Sequence, residues 1–330
     1  MANKIFHIPV FVPHKGCPHD CVFCNQRRIT GQIKEMTVND ARAVIEAHLG
    51  TIEKKYKKED IYVEIAFFGG SFTAIDIDRQ IELLSLADEY IRSQRADALR
   101  CSTRPDCINE EILSVAKKYS MTNIELGVQS GDDDVLSLCE RGHSFEDVIH
   151  ASELIKNNGI NLGLQMMTGL PGDTREKSIE TAKKIIELKP SCVRIYPTLV
   201  MEGTRLADMY KDGVYTPQTV EEAASLCAEI VPMFTESGIK ILRIGLQTTE
   251  NVNAETVIGP YHPAFAEIVY SKINRDRIES YVRKRGVHDC ELTIPCKKED
   301  VSKTVGHRKC NAEYFKCKYN IDLKVRLLQG

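Results

Sequence analysis

Short apolar runs alternate with amphipathic stretches along most of this 330-residue chain. Residues 5–12, IFHIPVFV, predict a first strand. Thr37 is placed to cap a helix whose apolar face carries Val38, Ala41, Val44, Ile45, Leu49 and Ile52, three and four positions apart. Residues 61–68, IYVEIAFF, form a continuous β-rich run, the pattern of a strand buried on both faces. Ile77, Ile81, Leu84, Ala87 and Ile91 mark the next helix. Further strands are predicted at 98–102, 123–128, 160–166 and 192–198, with helices between them near 107–119, 132–158 and 173–187. Each strand–helix–strand step implies a parallel pair joined by a right-handed crossover. Six such units make either an open doubly wound sheet or a β/α barrel that is not fully closed. Thr219 and Glu222 form a capping box for a later helix, 219–236. After about residue 245 the alternation ends. A charged helix near 264–285, HDCELTIP, a helix near 308–319 and IDLKVRLL then predict a small α+β tail. The expected division is a barrel-sized unit over 1–245 and an extension over 246–330.

Composition narrows the picture modestly. Hydrophobic residues at 42% and charged residues at 28% describe an ordinary globular protein. No run of 18 apolar residues occurs, so no membrane span is expected. The opening MANKIFHIPVFVPH is too short and too interrupted by proline for a secretory signal, which predicts a cytoplasmic protein. In that reducing compartment the twelve cysteines are thiols or metal ligands rather than a disulfide framework. The net charge of −3 is unevenly spread: residues 266–330 carry 15 Lys/Arg against 9 Asp/Glu, near +6, which leaves the rest near −9. A solvated surface is the plain reading of that tail, and an anionic partner such as RNA the sharper one.

The chemistry concentrates in CPHDCVFC, where Cys17, Cys21 and Cys24 follow the first strand with C-x3-C-x2-C spacing. Gly16 and Pro18 keep this loop irregular. Three thiols are one short of the usual four for zinc and odd for disulfides. On a 4Fe–4S cube they leave one iron with an open position, which is how a metal centre becomes catalytic rather than structural. S-adenosyl-L-methionine fits that position through its amino and carboxylate groups. Zinc with a distant fourth ligand, or three unrelated structural thiols, are the rival readings.

The triad, with Phe23 just before its last cysteine, resembles that of the radical SAM superfamily. FVPHKGCPHDCVFCNQ, FFGGSFT, ELGVQSGDDDVL, ERGHS, QMMTGLPGDT and RIYPTLVMEGTRL, collinear from about residue 5 to 245, resemble the radical SAM portion of the Elongator catalytic subunit. More distantly they resemble oxygen-independent coproporphyrinogen III oxidase. The resemblance implies a partial (β/α)6 TIM-like barrel with a small C-terminal α+β extension. It also implies a 4Fe–4S cluster and S-adenosyl-L-methionine, cleaved reductively to a 5′-deoxyadenosyl radical. A one-electron donor such as flavodoxin or ferredoxin is the expected partner. About 85 residues follow the match, too few for the acetyltransferase domain that the Elongator subunit carries.

In β/α barrels ligands sit at the C-terminal ends of the strands, and the candidates converge there. Gly69, Gly70 and Ser71 end the second strand, where glycines admit a close ligand and exposed carbonyls suit the methionine ammonium. Ser102 ends the third, at a position where related enzymes place a polar cofactor contact. Gln129 ends the fourth, and its amide can both donate to and accept from ribose hydroxyls. Arg141 matches an arginine that in the family reaches the cofactor carboxylate through two parallel bonds. Gln165 ends the fifth strand as a further ribose candidate, and Tyr196 in the sixth could face adenine, face substrate or simply pack. Phe23 is expected to shield the cluster, and His143 reads as structural. No general base is assigned. Cys290, Cys296, Cys310 and Cys317 lack a C-x2-C pair and read as thiols, an auxiliary metal site being the alternative. The resemblance makes RNA, with a tRNA base foremost, the leading substrate class, ahead of a peptide, a small metabolite or a tetrapyrrole. A cluster protein that binds the cofactor without turnover is the non-enzymatic alternative. Loss of a cysteine or of the glycine pair would favour it, and both are intact.

Overall fold

The computed structural model describes residues 4–12, 17, 19–25, 36–248 and 252–328. Strand β1 (Lys4–Val12) leads to α1 (Val38–Glu53), which Thr37 and Asp40 cap reciprocally, so the two orphan amides of that helix end are satisfied. β2 (Ile61–Gly69), α2 (Ile77–Arg92), β3 (Ala98–Thr103), α3 (Glu110–Lys118) and β4 (Met121–Gln129) follow. Next come α4 (Asp133–Leu138), α5 (Phe145–Asn157), β5 (Asn161–Thr168), α6 (Arg175–Glu187) and β6 (Cys192–Pro197). A short strand β7 (Val200–Met201) and α7 (Arg205–Lys211) precede α8 (Val220–Glu236) and β8 (Lys240–Ile244).

Strands β1 to β6 and β8 form one parallel, curled sheet in chain order, the partial barrel anticipated from the sequence. Because the crossover helices cover its outer face, the strands are nearly continuously apolar on that side. Ile8, Val10, Val63, Ile65, Leu99, Ile124, Leu126, Leu164 and Ile195 pack against Ile45, Leu83, Leu84, Val148, Ile155 and Ile185 of the helices. Two features depart from the expectation. The sheet has a seventh strand, since KILRI continues the parallel ladder on β6. The single helix expected over 132–158 is two helices. Glu140 and Gly142, at φ 51° and 71°, turn the chain between them, and Ser144 and Asp147 cap α5 afresh.

Beyond the sheet, β9 (Val257–Ile258) pairs antiparallel with β7. Helix α9 (Phe265–Arg285) buries Phe265, Val269 and Ile273 in the main core, and Ile278 and Val282 in a separate cluster around Phe315 and Ile321. That cluster is completed by β10 (Glu291–Cys296), α11 (Cys310–Tyr319) and β11 (Asp322–Leu327), with β10 and β11 paired in parallel and α10 (Val301–Val305) between β10 and α11.

Candidate active site

The strand ends and the cysteine loop meet at one rim. Gly69 lies at φ 114°, and a Cβ there would stand 2.3 Å from the Val12 carbonyl oxygen, so only glycine lets β1 and β2 close together. The Gly70 amide donates to the same oxygen at 3.1 Å. The cysteine loop is docked on elements far from it in sequence. The Val22 amide donates to Cys139 O at 3.1 Å, and Val22 O accepts from the Leu206 amide at 2.8 Å. Phe23 packs between Val135, Cys139 and Leu170 on one side and Val200 and Leu206 on the other. The His19 ring lies against the backbone of Gly142, where a Cβ would approach it within 2.4 Å. Gly16 and Pro18, expected to keep the loop irregular, lie outside the described residues.

Cys17, Cys21 and Cys24 line a cavity of about 110 Å³ with Phe23, Gly69, Gly70, Ser71, Ser102, Gln129, Arg141 and Gln165. His19, Thr103, Arg104 and Gly127 complete its wall. A larger hollow of about 620 Å³ lies between β8 and the start of α9, but no thiol or strand-end glycine lines it. Chemistry rather than size singles out the smaller cavity. Of the residues expected from sequence, Tyr196 is the one that lies elsewhere. Its ring stands on β6 beside Arg194, and burial raises its pKa.

Two guanidinium groups flank the Cys21 sulfur. Arg141, carried in by the turn between α4 and α5, donates from Nη1 to Cys21 Sγ at 3.3 Å and from Nη2 to Gly127 O at 2.8 Å. It is buried, has no carboxylate partner among the described residues, and its Nε is buried without a partner. Gln129 is a second orphan: its Oε1 is buried and unpartnered, and its backbone is held at φ 69°, a left-handed conformation that glutamine adopts only at a cost. Arg104 donates from Nε and Nη2 to the two Asp106 oxygens, both at 2.9 Å, and from Nη1 to Cys21 Sγ at 3.9 Å. Burial pushes the Cys17 thiol up, and Arg104 and Arg141 pull the other way. His143 lines a neighbouring hollow rather than this cavity; burial, then Arg141 and Arg104, push it down to about 3, so the ring is neutral at ordinary pH.

Beneath the cavity, the inner face of the sheet carries a buried polar layer. Glu125 accepts from Arg100 at 2.8 Å, from Arg194 at 2.6 and 3.0 Å, and from Gln165 Nε2 at 3.0 Å. Glu64 accepts from Arg100 and Asn123 at 2.8 and 2.7 Å and meets His7 at 2.7 Å. Burial alone would raise both carboxyls, but these donors hold both below the usual carboxylate range. An ionised carboxylate only accepts, so the Gln165 atom facing Glu125 is its NH2. With its second hydrogen aimed at Ser102 Oγ, 3.2 Å away, Gln165 retains only its carbonyl oxygen for a ligand. Ser71 is similarly committed, bonding Thr103 Oγ1 at 2.8 Å and accepting from the Arg104 amide at 2.9 Å.

Sequence reasoning passed over Arg104 and the polar layer. The signal available for Arg104 was the R-P-D step directly after a strand, which sets an arginine and a carboxylate two residues apart in a tight turn. The twelve cysteines, all among the described residues, form no disulfide. No three His, Cys, Asp or Glu side chains among the described residues converge on one point as ligands of a single metal ion must, and this includes Cys290, Cys296, Cys310 and Cys317.

The family model described as the radical SAM superfamily matches residues 11–185, and a radical SAM C-terminal domain matches 190–275. A tRNA uridine(34) acetyltransferase of Methanocaldococcus jannaschii is 30% identical over 254 residues, covering 66% of this chain and 47% of that protein. An uncharacterised protein of the same organism is 31% identical over 239 residues, covering 69% of this chain and 72% of its own length. Among solved structures, archaeal Methanocaldococcus infernus Elp3 with an N-terminal deletion superposes with a TM-score of 0.63 at 26% identity, over 87% of this chain and 65% of that one. The chain thus spans about half the length of the tRNA-modifying curated relatives it matches.

Proposed function

Because the chain belongs to the radical SAM superfamily and is an enzyme of that class, we propose that it cleaves S-adenosyl-L-methionine reductively at a 4Fe–4S cluster and acts on a base of tRNA. The observation that carries the first part is the wall of the cavity: three thiols, two strand-end glycines, an unpaired buried guanidinium and an unpartnered glutamine oxygen around one space. Each orphan atom is costly to bury unless a ligand meets it, and the donors match the cofactor's parts.

Cys17, Cys21 and Cys24 would hold the cluster. No fourth cysteine among the described residues lines the cavity, so one iron is left for the cofactor. Arg141 would meet the cofactor carboxylate, and Gly69 and Gly70 would let the methionine lie against backbone. Gln129 and the carbonyl of Gln165 would accept from ribose hydroxyls, with Ser102 beside them. Phe23 would screen the cluster from water. Once bound, cluster and cofactor supply a one-electron cleavage that yields a primary carbon radical. The reductant in this reading is a flavodoxin- or ferredoxin-type donor, and the setting is cytoplasmic. Residues 1–245 would be the catalytic barrel, and residues 246–330 would add the basic surface.

The tRNA part rests on the likeness to tRNA uridine(34) acetyltransferases and on the +6 charge of residues 266–330. Anaerobic reconstitution followed by incubation with the cofactor and dithionite should release 5′-deoxyadenosine, and replacing any of the three cysteines by alanine should abolish it. A reduced cluster standing beside intact cofactor would establish a binding protein instead. Bulk tRNA should be retarded in a gel at low salt and released as salt rises; absence of any retardation at low salt would remove RNA as the substrate.

A further inference from the structure

We propose that Arg104, balanced by Asp106, is a positioning residue that sets the reduction potential of the cluster. This rests on the reading of Cys17, Cys21 and Cys24 given above. Arg104 is 2% exposed, and nearly every donor it has is committed. Nε and Nη2 hold Asp106, Nη2 also reaches Arg141 O at 2.5 Å, the backbone amide holds Ser71 Oγ, and Nη1 is left facing the Cys21 sulfur. The side chain cannot turn away without breaking its bidentate pair with Asp106, whose carboxylate reaches the surface. Pro105 and Asp106 open the tight turn that follows β3, so the counter-ion is fixed by the same turn that delivers the arginine.

The two arginines at Cys21 therefore differ in kind. Arg141 has a charge without a carboxylate and an unpartnered Nε, which equips it for a ligand. Arg104 has its carboxylate already, so it has no capacity left for a substrate anion, and its remaining donor points at sulfur. Reduction adds one electron to the cluster, from a flavodoxin- or ferredoxin-class donor or from dithionite; no bond is made and no proton is moved. A donor and a positive charge beside a ligating sulfur favour the more negative, reduced state, and a carboxylate opposes it. The buried guanidinium acts on the sulfur through little screening, whereas the Asp106 carboxylate reaches the surface and is partly screened by water. The Arg104–Asp106 pair thus holds the potential between two extremes.

Potentiometric titration of the reconstituted holoprotein, followed by electron paramagnetic resonance without cofactor, tests this. Asp106→Asn leaves the guanidinium uncompensated and should raise the midpoint, by at most about 59 mV, tenfold in the reduction equilibrium, because water already screens part of the carboxylate. Arg104→Gln leaves the carboxylate uncompensated and should lower it by a similar amount, and the double variant should return towards the parent. Equal cluster content with unmoved potentials, or shifts of the same sign in both single variants, would overturn the inference. If Arg104→Gln fails to retain a cluster, Asp106→Asn alone decides by the sign of its shift. Failure of the unaltered protein to assemble a 4Fe–4S cluster would instead overturn the reading on which this one stands.

Discussion

At the scale of single residues, the rim is built from side chains that have little freedom to change. Gly69→Ala places a methyl on the Val12 carbonyl at a backbone angle that only glycine adopts without strain. We expect a loss of about 2 kcal/mol or more in chemical denaturation, together with a weakened cofactor site. Glu125→Gln removes the negative charge and one of the two oxygens shared by Arg100, Arg194 and Gln165, leaves the Arg194 charge without its counter-ion, and should cost about 3 kcal/mol or more. Glu125 and Glu64 also predict a pH dependence. Their carboxyls are held below the unfolded value, so their stabilisation is complete at neutral pH and is lost as pH falls below about 4 through the folded-state pKa. Denaturation midpoints measured between pH 7 and pH 3 should fall steeply, and less so in Glu125→Gln. Cys17, Cys21 and Cys24 stood out by their spacing and Gln129 and Gln165 by their places at strand ends, whereas Arg141 was read only from the family resemblance. The R-P-D step after a strand flags Arg104 as a turn ion pair, but its role toward the cluster could not be read, because it depends on a sulfur 83 residues away. Tyr196 was legible as a strand-end aromatic, but spacing alone does not say whether such a ring reaches a cavity or stands beside a neighbouring arginine.

At the scale of elements, most boundaries follow from local signals. Thr37 with Asp40 and Thr219 with Glu222 are capping pairs readable from four letters, and the structure makes both reciprocal. The same signal at Ser144 and Asp147 was present but was overridden by the apolar rhythm running through 132–158. The break matters more than either helix, since Arg141 sits in it and reaches Cys21 and Gly127 from there. Ser144→Ala should cost about 1 kcal/mol of stability and raise amide exchange over the first turn of α5. The seventh strand was missed because KILRI is short, carries two cations and follows a helix that closes the last clear repeat. Its strand character comes from pairing on β6, a tertiary cause that propensity does not contain.

At the scale of the whole molecule, α9 belongs to two cores, one under the curled sheet and one in the extension. The second is small: Ile278, Val282, Phe315 and Ile321 are its buried members. Few buried apolar contacts mean cheap local opening, so amides of β10, α11 and β11 should exchange at a lower free energy than those of β3 to β6. Phe315→Ala should abolish protection in the extension, at about 3 kcal/mol or more, while leaving the sheet protected. The parallel sheet was foreseeable because each β–α step repeats the same pattern, whereas its curling into a partial barrel was read from the family resemblance, the pattern alone leaving an open doubly wound sheet as the alternative. The partnering of β10 with β11 was not foreseeable, since two short strands separated by two helices give no signal of which neighbour they choose. Finally, the cavity gathers residues from Cys17 to Gln165, so synthesis must run past the fifth strand, through half of these 330 residues, before its walls exist. Iron delivered to the emerging cysteines earlier than that would find thiols without their arginines, and loading of the metal is therefore expected to trail translation of the fifth strand.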